Sequence, residues 1–311
     1  MALPQHERPR DADRPDWAIE GRDWPNRDRS RFVEASGLRW HVQEFGAPDA
    51  PALLLVHGTG AATHSWRALA PLLAQGFRVV APDLPGHGFT DPLPPGRLSL
   101  PGMAGSLADL LGVLGLAPAV ACGHSAGAAL LVRLCLDARI APRLLVALNG
   151  ALTPFPGAAS ILFPSMARLL FLNPFTPRVF AWTADRPAVQ RLIGGTGSRL
   201  DAPGLDLYRR LFRKPAHVAG ALGMMANWDL AALDRDLPRL ATRTLLVVGG
   251  ADRAILPDTA FTVRDRLADA RVELIRGLGH LAHEEAPERV AALIAAEARA
   301  AGVETASAPA D

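Results

Sequence analysis

The segment Gly123-His124-Ser125-Ala126-Gly127 sets a serine between two glycines. A serine hydroxyl is a poor nucleophile at neutral pH. It needs a base to take its proton and donors to receive the oxyanion formed on attack. Gly-x-Ser-x-Gly alone is a weak pattern, and a chance glycine-rich turn is the competing reading. The context favours chemistry. The apolar run Pro118–Cys122 reads as a buried strand and Ala126–Leu136 as a helix. A serine on the sharp turn between them presents its Oγ, and the helix N-terminus favours the developing negative charge.

Two further residues fit the chain order nucleophile, acid, base. Asp252 stands in Gly249-Gly250-Ala251-Asp252-Arg253, directly after the predicted strand Thr244–Val248. His280 closes Gly277-Leu278-Gly279-His280, just after the predicted strand Arg271–Ile275. Both follow the carboxyl ends of strands, where open α/β sheets place their sites. In this arrangement His280 is the base and Asp252 orients its imidazole. A turn or helix-cap role is the plainer reading of Asp252. Position supplies one oxyanion donor, the amide of Ala126. The other comes from the loop after Val56, with Thr59 as the first choice and Gly60 as its competitor. His57 reads as a structural hydrogen-bonder. His64 and His87 read the same way, though either could edge a pocket.

Other chemistries are disfavoured. His280 and His283 are three apart, but a catalytic zinc takes three protein ligands, and no third has suitable spacing. His283 therefore reads as a packing residue, and no metal or cofactor is expected. The sole lysine, Lys214, is followed by Pro215, which excludes a Walker A loop. A net charge of +2 on 311 residues gives no sign of a nucleic-acid partner.

The elements that must position these residues alternate. Predicted strands at Arg31–Ala35, Arg39–Phe45, Pro51–Val56, Phe77–Ala81, Pro118–Cys122 and Arg143–Leu148 are interleaved with helical spacing over Ser65–Ala74, Ser99–Leu114 and Ala126–Leu136. The alternation stops at Gly150 and resumes after about Asp236. It then gives a strand, a helix over about Asp258–Leu267, a strand, and a last helix over about Pro287–Ala301. This predicts an α/β fold with a mostly parallel central sheet, helices on both faces and an inserted helical lid. The expected divisions are a polar arm at 1–30, core at 31–149, lid at 150–236, core at 237–301 and a disordered tail at 302–311. A chain that is 49% hydrophobic can bury such a core.

The insertion holds Phe155, Phe163, Phe171, Phe175, Phe180, Trp182, Met224, Met225 and Trp228. A roomy apolar pocket and ordinary packing of lid helices both account for them. Arg168, Arg178, Arg209, Arg210 and Arg213 could meet ligand carboxylates or simply face solvent. The first thirty residues lack the apolar core of a signal peptide. No run reaches the ~20 apolar residues of a transmembrane helix. Cys122 and Cys135 lie in apolar stretches without metal-ligand spacing, as in a reduced cytoplasmic protein.

Together, His57-Gly58, the Asp83–Gly88 loop, the Ser125 elbow, Asp252 and the His280 segment resemble the α/β-hydrolase superfamily over about Arg31 to Ala300. Within it the chain closely resembles the magnesium-chelatase accessory proteins of bacteriochlorophyll biosynthesis. That likeness lies in Asp23–Arg27, Ser30–Val33, Gly37–Gln43, His57–Trp66, Cys122–Ala128 and Met224–Leu230. It implies a protein of phototrophic bacteria associated with magnesium insertion into protoporphyrin IX, a small hydrophobic or porphyrin-like ligand, and association with magnesium-chelatase subunits. It does not supply a reaction. The triad residues add a serine hydrolase. The competing expectations are a carboxylester or C–C bond hydrolase unconnected with pigment, and a non-catalytic porphyrin binder or scaffold. Serine at the elbow disfavours epoxide hydrolases and haloalkane dehalogenases, which need a carboxylate there.

Overall fold

The computed structural model describes residues 11–154 and 173–304. Its centre is a sheet of eight strands: β1 (Ser30–Ala35), β2 (Leu38–Phe45), β3 (Ala52–Val56), β4 (Arg78–Pro82), β5 (Val120–His124), β6 (Leu144–Leu148), β7 (Thr244–Gly249) and β8 (Ala270–Ile275). Their order is β1-β2-β4-β3-β5-β6-β7-β8. β1 pairs antiparallel with β2, and β2 with β4; the remaining pairs are parallel. The mostly parallel α/β fold expected from the alternation is the fold observed.

The continuous apolar runs exist because the central strands are covered on both faces. Side chains alternate across a strand. In β3, Leu54 and Val56 join the core cluster on one face while Leu53 and Leu55 join the cluster on the other. β6 and β7 divide likewise: Leu145, Ala147, Leu246 and Val248 face one way, Leu144, Val146, Leu245 and Val247 the other. The helices Leu100–Val113 and Ala126–Leu136 cover the first face, and Leu69–Leu73 with Pro287–Ala300 the second. Each fully buried leucine contributes about 2 kcal/mol by area.

Local differences from the sequence reading have simple causes. The helix expected over 65–74 divides into a 3₁₀ turn, Thr63–Trp66, and a short helix, Leu69–Leu73. Pro71 has no N–H to carry a helix across that gap. Within the stretch expected as a tail from 302, Val303 is buried against the second face. Residues 305–311 lie outside the described residues.

Between β6 and β7 the described chain forms the helices Thr176–Thr183, Arg186–Gly195, Ala202–Phe212, Pro215–Ala226 and Leu230–Asp236. Their starts are written in the sequence. Asp185 and Asp201 cap the amides of Ala188 and Gly204, with Pro187 and Pro203 in the first turns, and Asp229 caps Ala231. No described helix is long and apolar enough to cross a membrane.

Candidate active site

The carboxyl ends of β3, β5, β6, β7 and β8 open into the loops that carry the candidate residues. Ser125 joins β5 to the helix Ala126–Leu136 with φ 50 and ψ −119. This is a strained backbone for a residue with a side chain, at a cost of about 1–3 kcal/mol. Three hydrogen bonds hold it. Ser125 donates its amide to Leu148, and its carbonyl accepts from Ala128 and Ala151. The flanking glycines are steric necessities. A Cβ on Gly123 would lie 2.5 Å from the Ala128 nitrogen, and one on Gly127 would lie 2.2 Å from the Val56 carbonyl oxygen.

Asp252 and His280 meet directly. The His280 Nδ1 stands 2.8 Å from Asp252 Oδ2, and both residues are buried. The other carboxylate oxygen, Oδ1, accepts from the amides of Ala254 and Ile255 at 2.8 and 3.0 Å. Asn149, at the end of β6 with φ 46, donates its Nδ2 to Asp252 Oδ2 at 2.8 Å. These donors fix the direction of the carboxylate. With Nδ1–H donated to Asp252, the ring presents Nε2 as its acceptor. His280 sits against the elbow: its carbonyl oxygen is 3.0 Å from His124 Nε2, and the two rings lie 4.7 Å apart. Among the described residues no hydrogen bond joins Ser125 Oγ to the His280 ring. Serine–histidine contacts of this kind often tighten only when substrate binds.

In the loop after β3 the Gly58–Thr59 peptide is held in one orientation. His57 is fully buried, and burial lowers its pKa, so it is neutral. Its Nε2 accepts from the Leu84 amide at 2.8 Å, which leaves Nδ1–H to donate to the Gly58 carbonyl, also at 2.8 Å. Ala61 donates to the same carbonyl. In a trans peptide the N–H points opposite its C=O. Tying the Gly58 carbonyl therefore fixes the Thr59 N–H on the other side. The Gly58 α-carbon abuts the elbow, since a Cβ there would lie 3.0 Å from Ser125 Cβ. Ala126 opens its helix, so its amide is one of the first-turn donors without a helical partner. Among the described residues, neither the Thr59 nor the Ala126 amide has a hydrogen-bond acceptor.

His217, on the helix Pro215–Ala226, completes this loop and was not singled out by the sequence. Its Nδ1 accepts from the Gly88 amide at 3.1 Å, and its Nε2–H donates to the Gly60 carbonyl at 3.1 Å. Burial holds its pKa down at about 4. Thr59 Oγ1 reaches Met224 Sδ of the same helix at 3.4 Å. The insertion thus grips the loop after β3. It also grips the other two loops. Arg253 donates its amide to the Thr196 carbonyl, and Leu281 donates its amide to Ser198 Oγ at 2.7 Å.

A buried carboxylate sits beside the His280 loop. Glu284 accepts from Tyr208 Oη at 2.7 Å and pairs with Arg67. Burial, opposed by Arg67, pushes its pKa up to about 7. Asp83, at the head of the loop after β4, is also fully buried. Burial alone would raise its pKa. His41, 2.8 Å away, and the amides of Thr63 and Phe89 outweigh that and hold it low.

Asn149 was legible in principle, since a polar residue directly after a buried parallel strand points to the site edge. His217, Ser198 and Glu284 lie in helices and turns whose tertiary approach no local pattern records. Of the insertion residues, Met224 is buried and Phe175 and Trp182 are exposed. Phe155, Phe163, Arg168 and Phe171 lie outside the described residues. Arg178, Arg209 and Arg210 pair with Asp13, Asp206 and Asp23. His283 packs its ring on Trp66 and His124, with burial pulling its pKa down to about 3. Among the described residues no group of three or more His, Cys, Asp or Glu could hold a metal ion.

A model of the alpha/beta hydrolase family matches residues 53–293. The chain belongs to that family. It is 40% identical to the magnesium-chelatase 30 kDa subunit of Rhodobacter capsulatus over 87% of this chain and 95% of that one. It is 28% identical to epoxide hydrolase A of Mycobacterium tuberculosis over 85% and 95% of the two chains. A solved alpha/beta hydrolase fold protein from Burkholderia ambifaria superposes with a TM-score of 0.72 at 25% identity, over 86% of this chain and 97% of that one.

Proposed function

We propose that this protein serves the magnesium-insertion step of bacteriochlorophyll synthesis and carries a working serine-hydrolase site. The pathway part rests on the 40% identity to a magnesium-chelatase subunit along nearly the whole chain. The chemical part rests on one observation above the rest: His280 bonded to Asp252 and seated against a strained elbow that carries Ser125.

In this reading His280 Nε2 takes the proton from Ser125 Oγ as the oxygen attacks an acyl carbon. Asp252 stabilises the imidazolium that results. The oxyanion sits on the amides of Thr59 and Ala126. His280 then gives its proton to the leaving group, and water, deprotonated by the same ring, hydrolyses the acyl-enzyme. Serine at the elbow separates this chemistry from that of an epoxide hydrolase, whose alkyl-enzyme ester needs a carboxylate nucleophile. The ligand is small and hydrophobic or porphyrin-like, the site acts without a metal or cofactor, and the protein works in the cytoplasm beside the chelatase subunits.

Complementation tests both parts together. A strain lacking this gene should regain pigment with the wild type and stay deficient with Ser125→Ala. Restoration by Ser125→Ala would leave a binding or scaffolding role. A deletion strain with normal pigment would remove the pathway assignment.

A further inference from the structure

Two adjacent helices of the insertion, Thr176–Thr183 and Arg186–Gly195, bear an apolar outer face. Phe175, Val179 and Trp182 recur at helical spacing, i, i+4 and i+7, and are 67%, 57% and 86% exposed. Phe180 and Leu192 are exposed beside them. Single exposed apolar residues are ordinary, but an aromatic stripe along one helix face marks an interaction site. Between Phe180, Ala184, Ala188, Val189, Leu192 and Phe212 opens a cavity of about 350 Å³.

The charge along this stretch is mostly positive. Residues 173–195 contain Arg178, Arg186 and Arg191 against the single acid Asp185. Asp185 is used as a helix cap, and Arg178 pairs with Asp13. Among the described residues Arg186 and Arg191 make no ion pair, and both are exposed. Exposed Trp and Phe beside unpaired arginines form the pattern of a surface that sits at a bilayer interface. There the rings lie at headgroup depth and the guanidinium groups meet anionic lipid.

We infer that this face of the insertion docks the protein peripherally on an anionic lipid surface, through the stripe Phe175, Val179 and Trp182 and the cations Arg186 and Arg191. The inference is independent of the hydrolase reading. The lipid-facing residues are not among Ser125, Asp252, His280 and Thr59, and docking needs no catalysis. The cavity shares Phe180 and Leu192 with this face, and Gly60 approaches the ring of Phe212, another of its lining residues.

Flotation of the full chain with vesicles tests it. One set is phosphatidylcholine; the other contains about 30% phosphatidylglycerol. The wild type should float with the anionic vesicles, and raising salt from ~0.05 to ~0.5 M should release it. The triple substitution Phe175→Ser, Val179→Ser and Trp182→Ser should lower partitioning at least tenfold. Arg186→Glu with Arg191→Glu should do the same. All five side chains are exposed, so the variants should keep the wild-type circular dichroism. A wild type that stays in the soluble fraction overturns the inference. So does equal binding to both vesicle types. Sedimentation that reveals a dimer abolished by the triple substitution would give the face to a second copy and also overturn it.

Discussion

The floor of the candidate site and the outer face of the insertion are built on opposite terms. On the floor, the polar atoms that fix the backbone are paired. His57 and Ala61 hold the Gly58 carbonyl, His217 holds the Gly60 carbonyl, and Asn149 with two amides holds Asp252. Among the described residues, the amides of Thr59 and Ala126, which the proposed reaction would use, have no acceptor. On the outer face, aromatic rings stand in solvent and two arginines have no partner among the described residues. The first region is preorganised for charge that develops inside a small volume. The second leaves its attractive groups open to a large partner.

Removing the nucleophile should separate the regions most sharply. Ser125→Ala is expected to lower hydrolysis of a soluble nitrophenyl ester by ~10⁴-fold or more while vesicle binding is unchanged. Gly58→Ala is the next strongest change. Its Cβ would meet His124 Nδ1 at 2.8 Å and Ser125 Cβ at 3.0 Å, so the oxyanion loop must move. Steady-state kinetics should show a ~10²–10³-fold loss in kcat, the scale of a lost oxyanion donor. His217→Ala frees the Gly60 carbonyl from further away. It should cost about tenfold in kcat with KM little changed, because the ring positions the loop without touching substrate.

Stability against pH sharpens the contrast from the side of folding. His217 and His283 have folded values of about 4 and 3, against 6.5 when unfolded. Between those values the unfolded chain binds more protons, so stability falls as pH falls from 6.5. By pH 5 the loss is about 2 kcal/mol per ring. Glu284 works in the opposite sense. Its folded value of about 7 lies above 4.5, so the folded state binds more protons between them and gains stability on acidification. The thermal midpoint should therefore drop from pH 7 to pH 5, and drop more steeply in Glu284→Gln. The smallest effect belongs to the outer face: Trp182→Ser should leave ester hydrolysis within about twofold while weakening vesicle binding.

The same contrast explains what the sequence revealed. Ser125, Asp252 and His280 stood out as candidates because glycine-rich turns after apolar runs have few other uses, and the structure sets His280 on Asp252. The sheet was legible for a related reason, since a strand buried on both faces must be apolar throughout, as Leu53–Val56 is. The orientation of the Gly58–Thr59 peptide was not legible, because it depends on a His57 tautomer set by the distant Leu84 amide. His217 and Glu284 were missed since their partners are 157 and 76 residues away in the chain. In the insertion the apolar residues read alike whether turned in or out. Met224 is fully buried and Trp182 is 86% exposed, and local spacing does not distinguish them.

The central claim is an activated serine. Its most direct test is the rate of covalent labelling by a fluorophosphonate, with the site located by peptide mass spectrometry. The folded wild type should label at Ser125 alone, and His280→Ala should label at least ~100-fold more slowly. A folded wild type that does not label, or a labelling rate that His280→Ala leaves unchanged, would contradict it.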